Sequence, residues 1–180
     1  MNTKILISVL ILSIITLFSC KEKAEKIEDP KVITFDVTLD VIVPKDDMLI
    51  VHYLEAKDDW FTGDKSVWVK VSGSEQEQKC TFSLPEGILP KDVRLDISSE
   101  KEQQKITLNS VTLSYNGNQF LIQKQDIDKY FVGNEFIKFD AKTNIASLSN
   151  VNNNFDPFFN SRPILYPEFQ KLVIAKQQSK

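Results

Sequence analysis

The chain has 180 residues, 42% of them hydrophobic, with 22 Lys or Arg against 25 Asp or Glu and a net charge of −3. The apolar fraction is too high for a disordered chain, and the body lacks the Lys/Arg clusters that mark a nucleic-acid partner. One His and two Cys are too few for a multi-His or Cys/His zinc site.

A lone cation, Lys4, precedes an apolar and small-residue run from Ile5 to Phe18, followed by Ser19-Cys20 and the charged stretch Lys21-Glu22-Lys23-Ala24-Glu25-Lys26. This is the layout of a secretory leader. The run is shorter than the roughly 20 apolar residues a membrane-crossing helix requires. Leu17-Phe18-Ser19-Cys20 resembles the lipobox of bacterial lipoproteins. The resemblance implies cleavage before Cys20, a diacylglyceryl thioether on its sulfur and acylation of the new amine. A thiolate is the side chain nucleophilic enough for that bond, and several acyl chains hold a protein to a bilayer where one holds only marginally. Phe18 stands where a small or polar residue is usual. Lys21 rather than Asp follows the Cys, so the inner-membrane retention signal of enteric lipoproteins is missing. Lys21-Glu22 loosely resembles the export signal of Bacteroidota surface lipoproteins, with Lys23 in place of a second acid. The expected address is therefore the outer membrane, lipid-anchored, with the periplasmic or cell-surface side left open. Residues 1–19 read as the leader, 20–31 as a lipidated flexible tether, 32–175 as one folded domain and 176–180 as a polar tail.

Within the body the apolar period is two. Ile33, Phe35, Val37, Leu39, Val41 and Val43 alternate with Thr34, Asp36, Thr38 and Asp40, the pattern of a strand with one buried face. Val67-Val69-Val71, Cys80-Phe82-Leu84 and Val93-Leu95-Ile97 repeat it, and Leu49 to Leu54 reads as a further strand. Cys80, in phase with Phe82 and Leu84, is expected to face inward as a small hydrophobe. Ile106-Leu108 and Val111-Leu113-Tyr115 are out of phase by one residue, which predicts a bulge near Asn109-Ser110. Phe120-Ile122, Phe136 to Phe139 and Ile145-Leu148 are shorter candidates. Pro44-Lys45-Asp46-Asp47, Ser72-Gly73-Ser74, Pro85-Glu86-Gly87 and Asn116-Gly117-Asn118 separate the runs, and Asn-Gly is the signature of a tight hairpin. Helix is expected only at Lys124 to Tyr130 and Pro167 to Ala175. Many short strands between regular turns predict an all-β sandwich.

The series Trp68-Val69-Lys70-Val71, Thr81-Phe82-Ser83-Leu84-Pro85, Val93-Arg94-Leu95-Asp96-Ile97, Ile106-Thr107-Leu108, Val111-Thr112-Leu113 and Asp156-Pro157-Phe158 is similar to jelly-roll domains of the carbohydrate-binding-module kind. The resemblance covers roughly Thr34 to Phe159 and implies a jelly-roll-like sandwich. It reports fold better than ligand, because such folds host many functions.

Sugar recognition requires an aromatic face with carboxylates or amides at its rim. The loop Asp58-Asp59-Trp60-Phe61-Thr62-Gly63-Asp64 fits best. Trp68 and Tyr53 are expected to share its exposed surface; the plainer reading is that Trp60 and Phe61 plug the end of the sandwich. Asp58, Asp59 and Asp64 are also candidate ligands of a structural Ca²⁺, which takes six to eight oxygens. His52, alone inside a strand, reads as a packed or surface residue. No G-x-S-x-G elbow occurs, although 25 acids leave many pairs open for glycoside hydrolysis. From Asn150 to Pro167 three prolines argue against a regular central strand. The aromatics there predict a cover over the core or a partner surface, with Arg162 paired to Asp156. The resulting expectation is a non-catalytic envelope lipoprotein with a glycan as candidate ligand and no nucleic-acid partner. The alternative is a structural or assembly partner of an outer-membrane protein complex.

Overall fold

The computed structural model describes residues 32–174. The leader, the Cys20 lipid site, the tether at 20–31 and the tail at 176–180 lie outside the described residues. Among those described, no helix is long and apolar enough to cross a membrane.

Two antiparallel sheets pack face to face. The strands are β1 (Phe35–Ile42), β2 (Asp47–Leu54), β3 (Ser66–Val71), β4 (Gln78–Ser83), β5 (Asp92–Asp96), β6 (Lys105–Tyr115), β7 (Asn118–Gln123), β8 (Phe131–Gly133), β9 (Ile137–Asp140), β10 (Ile145–Leu148) and β11 (Phe158–Ser161). Sheet I runs β4-β1-β6-β10-β9, with β7 also on β6, and sheet II runs β3-β2-β5-β11-β8. The chain is an all-β sandwich. Its spine is β1 continued into β2 across a sharp corner at residues 43–46. β4 and β3 flank that arc on one side, β6 and β5 on the other. A four-residue helix, α1 (Ile127–Tyr130), and a longer one, α2 (Tyr166–Ile174), follow 3₁₀ turns at Lys124–Asp126 and Pro163–Leu165.

Alternation decides which face is buried. In β1, Phe35, Val37, Leu39 and Val41 are buried and Asp36, Thr38 and Asp40 face out. Facing them across the sandwich are Leu49, Val51 and Tyr53 of β2 and Val93 and Leu95 of β5, with Ile97 just beyond β5. Cys80 is buried beside Phe82 and Leu84, and burial pushes its thiol pKa up, with the Asp40 charge adding to the effect. The phase slip in β6 is a bulge. Asp40 pairs with Ser110 and Val41 with Leu108, leaving Asn109 as the extra residue. That insertion lets Ile106, Leu108, Val111 and Leu113 all point inward. Asn116 and Gly117 both take positive φ, 50° and 84°, as the two-residue turn joining β6 to β7 demands.

The corner between β1 and β2 is tightly packed. A Cβ at Gly73 would meet Lys45 backbone atoms at 2.8 Å. Asp47, buried, accepts from Met48 N, Ser98 Oγ, Ser99 N and Gln103 Nε2 at 2.6–3.2 Å, tying the 98–103 loop to the start of β2.

Two expectations for the proline-rich segment are corrected. Phe158–Ser161 is a central strand, hydrogen-bonded to β5 on one side and β8 on the other. Pro157, Pro163 and Pro167 bracket the strand without entering it, so no ladder N–H is lost. Arg162 does not pair with Asp156: its Nε donates to the carbonyls of Asp128 and Phe131 at 3.1 and 3.3 Å, and Asp156 turns to Arg94.

Phe159 is 1% exposed, packs edge-on against Phe139 at 5.4 Å and so couples the two sheets. Phe159→Ala should lower unfolding free energy by about 3–5 kcal/mol, measured by denaturant titration with an unchanged slope.

Candidate functional site on the outer face of sheet II

The even-numbered residues of β2, β5 and β11 and their partners on β3 point away from the core. Register places them in two rows across sheet II. One row runs Trp68, Ile50, Asp96, Phe158; the next runs Ser66, His52, Arg94, Asn160. An aromatic therefore stands at each end of the first row, with charged and imidazole groups between and beside them.

The centre is an ion-paired cluster. Arg94 donates to Asp96 through Nε at 2.7 Å and Nη2 at 2.6 Å, a two-pronged contact. The same Nη2 reaches Asp156 at 3.3 Å, and the guanidinium lies 3.9 Å over the Phe158 ring, a cation–π arrangement. On the other side of Asp96, His52 Nε2 is 3.4 Å from Oδ2. His52 Nδ1 faces the Thr62 carbonyl at 3.3 Å. Each ring nitrogen thus lies beside an oxygen, one of Asp96 and one of Thr62. Burial alone would push the Asp96 pKa up, but hydrogen bonds from His52 and Arg94, with their charges, hold it below the usual carboxylate value.

His52 is also the foot of the 55–65 loop. Phe61 packs edge-on to the imidazole at 6.4 Å. At the loop base Lys65 Nζ binds Asp58 Oδ2 at 2.6 Å and Glu55 Oε1 at 2.8 Å, and these hydrogen bonds raise the ammonium pKa well above normal. Asp58 Oδ2 also accepts from Glu55 N at 2.8 Å, and the Lys65 and Glu55 hydrogen bonds lower the Asp58 pKa. Lys91 Nζ donates to the Asp58 carbonyl. Ser66 Oγ joins loop and strand, donating to Gly63 O at 2.6 Å and accepting from Trp68 Nε1 at 2.8 Å. On this braced frame Trp60 is 72% exposed and Trp68 58% exposed.

Of the residues singled out from sequence, Trp60 and Trp68 are exposed, and Ser66 links Trp68 to the loop. Trp60 therefore does not plug the sandwich. Tyr53 does not join them. It is 5% exposed in the core, where burial pushes its phenol pKa up. Its strand is apolar on both faces from Leu49 to Val51, so alternation within β2 alone left the phase open; pairing with β3 puts Ile50 and His52 on the Trp68 face. The acids do not assemble a calcium site. Asp58 is engaged by an ammonium and a backbone amide. The Asp64 pKa is lowered by a hydrogen bond from the Thr62 side chain. No group of three His, Cys, Asp or Glu side chains converges on a metal position among the described residues. Arg94, Asp96 and Phe158 were missed as site residues, though the Arg94-Leu95-Asp96 spacing, which puts opposite charges on one strand face, was visible.

No family model, curated protein or solved structure matches the chain. The chemistry of the site must therefore be read from its own geometry. Ser66, His52 and Asp96 are the residue types of a hydrolytic triad, but the Ser66 hydroxyl points to Gly63 O, so it does not present its proton to the imidazole. Asp96 and Asp156 flank one guanidinium, and Asp96 in particular is held ionised, the opposite of what a proton-donating acid needs.

Because the folded Asp96 pKa is depressed, its stabilisation is complete above the unfolded carboxylate range and is lost as pH falls through the folded value. Arg94→Met should be less stable than the parent by about 3 kcal/mol at neutral pH. That deficit should shrink as the pH is lowered toward 3 and Asp96 takes up a proton. Urea unfolding at several pH values reads both effects.

Proposed function

We propose that the protein is a lipid-tethered, non-catalytic binding module of the bacterial outer membrane that engages glycans through the outer face of sheet II. The carrying observation is the pair of exposed indoles, Trp60 and Trp68, on a frame braced from below by Lys65, Lys91, Ser66 and His52. Exposing two large aromatic faces forgoes the burial that an aromatic core side chain contributes. Rigid support under them supplies what a stacking platform requires, since little conformational freedom remains to be lost on binding. Lys70, two residues on from Trp68 on the same strand face, offers a donor beside that indole, and Arg94, Asp156 and Asn160 lie further across the same sheet. The lipobox-like Leu17-Phe18-Ser19-Cys20 supplies the tether in this reading.

The rival reading, an assembly partner, drew on the aromatic segment from Asn150 to Pro167. Its Phe159 lies in the core and its Phe158 stacks under Arg94, while Ile164 and Tyr166 stay exposed.

Trp60→Ala and Trp68→Ala should each leave stability within about 0.5 kcal/mol of the parent and weaken binding to an array-selected glycan by at least tenfold, read by calorimetric titration. Unchanged affinity in both variants would refute the platform. In cells, a palmitate analogue should label the parent and not Cys20→Ala; equal labelling would remove the tether.

A further inference from the structure

A hollow of about 320 Å³ opens at the end of the sandwich remote from the corner at residues 43–46, where β1 begins, β2 ends and β5 begins. That volume is within the range of small-ligand pockets. Phe35 and Phe169 supply its floor. Both are buried, and their rings meet edge to face at 5.5 Å. Leu89, Tyr166 and Ile174 supply the rim and are 41%, 42% and 54% exposed. Helix α2 buries Phe169 and Leu172, while Tyr166, Gln170 and Ile174, four residues apart, share the side that borders the hollow. The sequence after α2, Ala175 to Lys180, is polar and offers no apolar cover. A concave apolar surface left open in this way marks a ligand groove or an interface.

The polar groups of the hollow narrow the choice. Gln170 Nε2 donates to Tyr166 Oη at 3.2 Å. Among the described residues that line the hollow, Lys91 alone is charged and none is acidic. Lys91 Nζ reaches the carbonyl of Ala56, itself a lining residue, at 3.4 Å and also donates to the carbonyl of Asp58. Its partners among the described residues are therefore neutral oxygens and not carboxylates. An ammonium has three donors, so one donor and the whole positive charge stay uncompensated at the Ala56 edge of an otherwise apolar groove. An uncharged hydrocarbon would leave that charge unanswered, whereas a carboxylate would meet it in a charge-assisted hydrogen bond.

We propose that the hollow is a binding site for a single-chain fatty acid, its hydrocarbon laid over Phe35 and Phe169 between Leu89 and Ile174 and its carboxylate on Lys91. The site shares Lys91 with the loop beneath Trp60 but does not depend on glycan recognition.

The test incubates the purified full chain in detergent at neutral pH with a diazirine-bearing dodecanoate, irradiates it and maps the adducts by peptide mass spectrometry. Adducts are expected on the peptides carrying Leu89 and Tyr166–Ile174. Their yield should fall at least tenfold in Leu89→Glu and in Ile174→Glu, which place an acid on the rim. Both positions are exposed, and melting temperatures equal to the parent's confirm that these variants report binding. Unlabelled dodecanoate should suppress the adducts at a concentration at least tenfold lower than dodecanol does. In Lys91→Met the two competitors should fall within twofold of each other. Adducts scattered along the chain, or undiminished in both Glu variants, overturn the site. Equal competition by dodecanol in the parent, or a preference for dodecanoate that survives in Lys91→Met, overturns the role of the carboxylate and with it the fatty-acid assignment. Suppression by phosphatidylglycerol and not by dodecanoate overturns it in favour of a two-chain lipid.

Discussion

The corner between β1 and β2 is the constraint on which the rest of the sandwich depends. One continuous stretch crosses from sheet I to sheet II there, and each of its halves is hydrogen-bonded on both sides. If the corner shifted by one residue, every side chain of β2 would exchange faces. Leu49, Val51 and Tyr53 would leave the core, and Ile50 and His52 would enter it. The corner is held by backbone contact at Gly73, by Asp46 Oδ1 accepting from Gly73 N at 2.7 Å, and by the donors gathered on Asp47. A buried side chain whose oxygens accept from several oriented N–H and O–H groups is satisfied only when all of those partners are present together. That requirement fixes phase as firmly as hydrophobic pattern does.

The consequence reaches the site directly. His52 can link Asp96 to the Thr62 carbonyl only because β2 is in this phase, and the 55–65 loop rests on that imidazole. Lys65 and Ser66, at the start of β3, brace the same loop from its other end. The indoles are therefore presented by the pairing of β2 with β3, with Trp68 directly opposite Ile50. The loop is a rigid extension of the sheet, and its charged residues act mainly as internal struts. Asp58 in particular serves the loop's own architecture.

How much of this was legible in sequence follows from the physics of each feature. Strands with one wet face announced themselves, as in β1, because alternation is a local property of side-chain direction. The β6 bulge was legible for the same reason: two alternating runs out of phase by one residue leave a single extra residue as the remedy. β2 was not, because its apolar residues occupy both phases and only a neighbouring strand distinguishes them; Tyr53 was misplaced for that reason. β11 was hidden because three prolines within a short segment suggest irregular chain, whereas the strand fits between them with its ladder intact. The cluster of His52, Arg94, Asp96 and Asp156 joins two strands and the approach to a third, and no spacing along the chain encodes such a meeting. The Trp60 loop was legible as a motif, but its bracing by Lys91 depends on a contact 33 residues away.

The two outer faces illustrate how one sandwich separates its chemistries. Both sheets give their inner faces to a shared core, so the outer faces are free to differ. Sheet II carries an exposed indole and a guanidinium stacked on Phe158 beside an ion-paired cluster. Sheet I carries hydroxyls, amides and the Asp40–Lys79 ion pair. The aromatic loop is tied by Lys65 and Ser66, and the bulge lies within a strand paired on both sides. The geometry of each surface is fixed by the same buried alternation that folds the domain. A change in the core phase of β1 or β2 would therefore be felt on both outer faces together, whereas an outward substitution on one face has no packed route to the other.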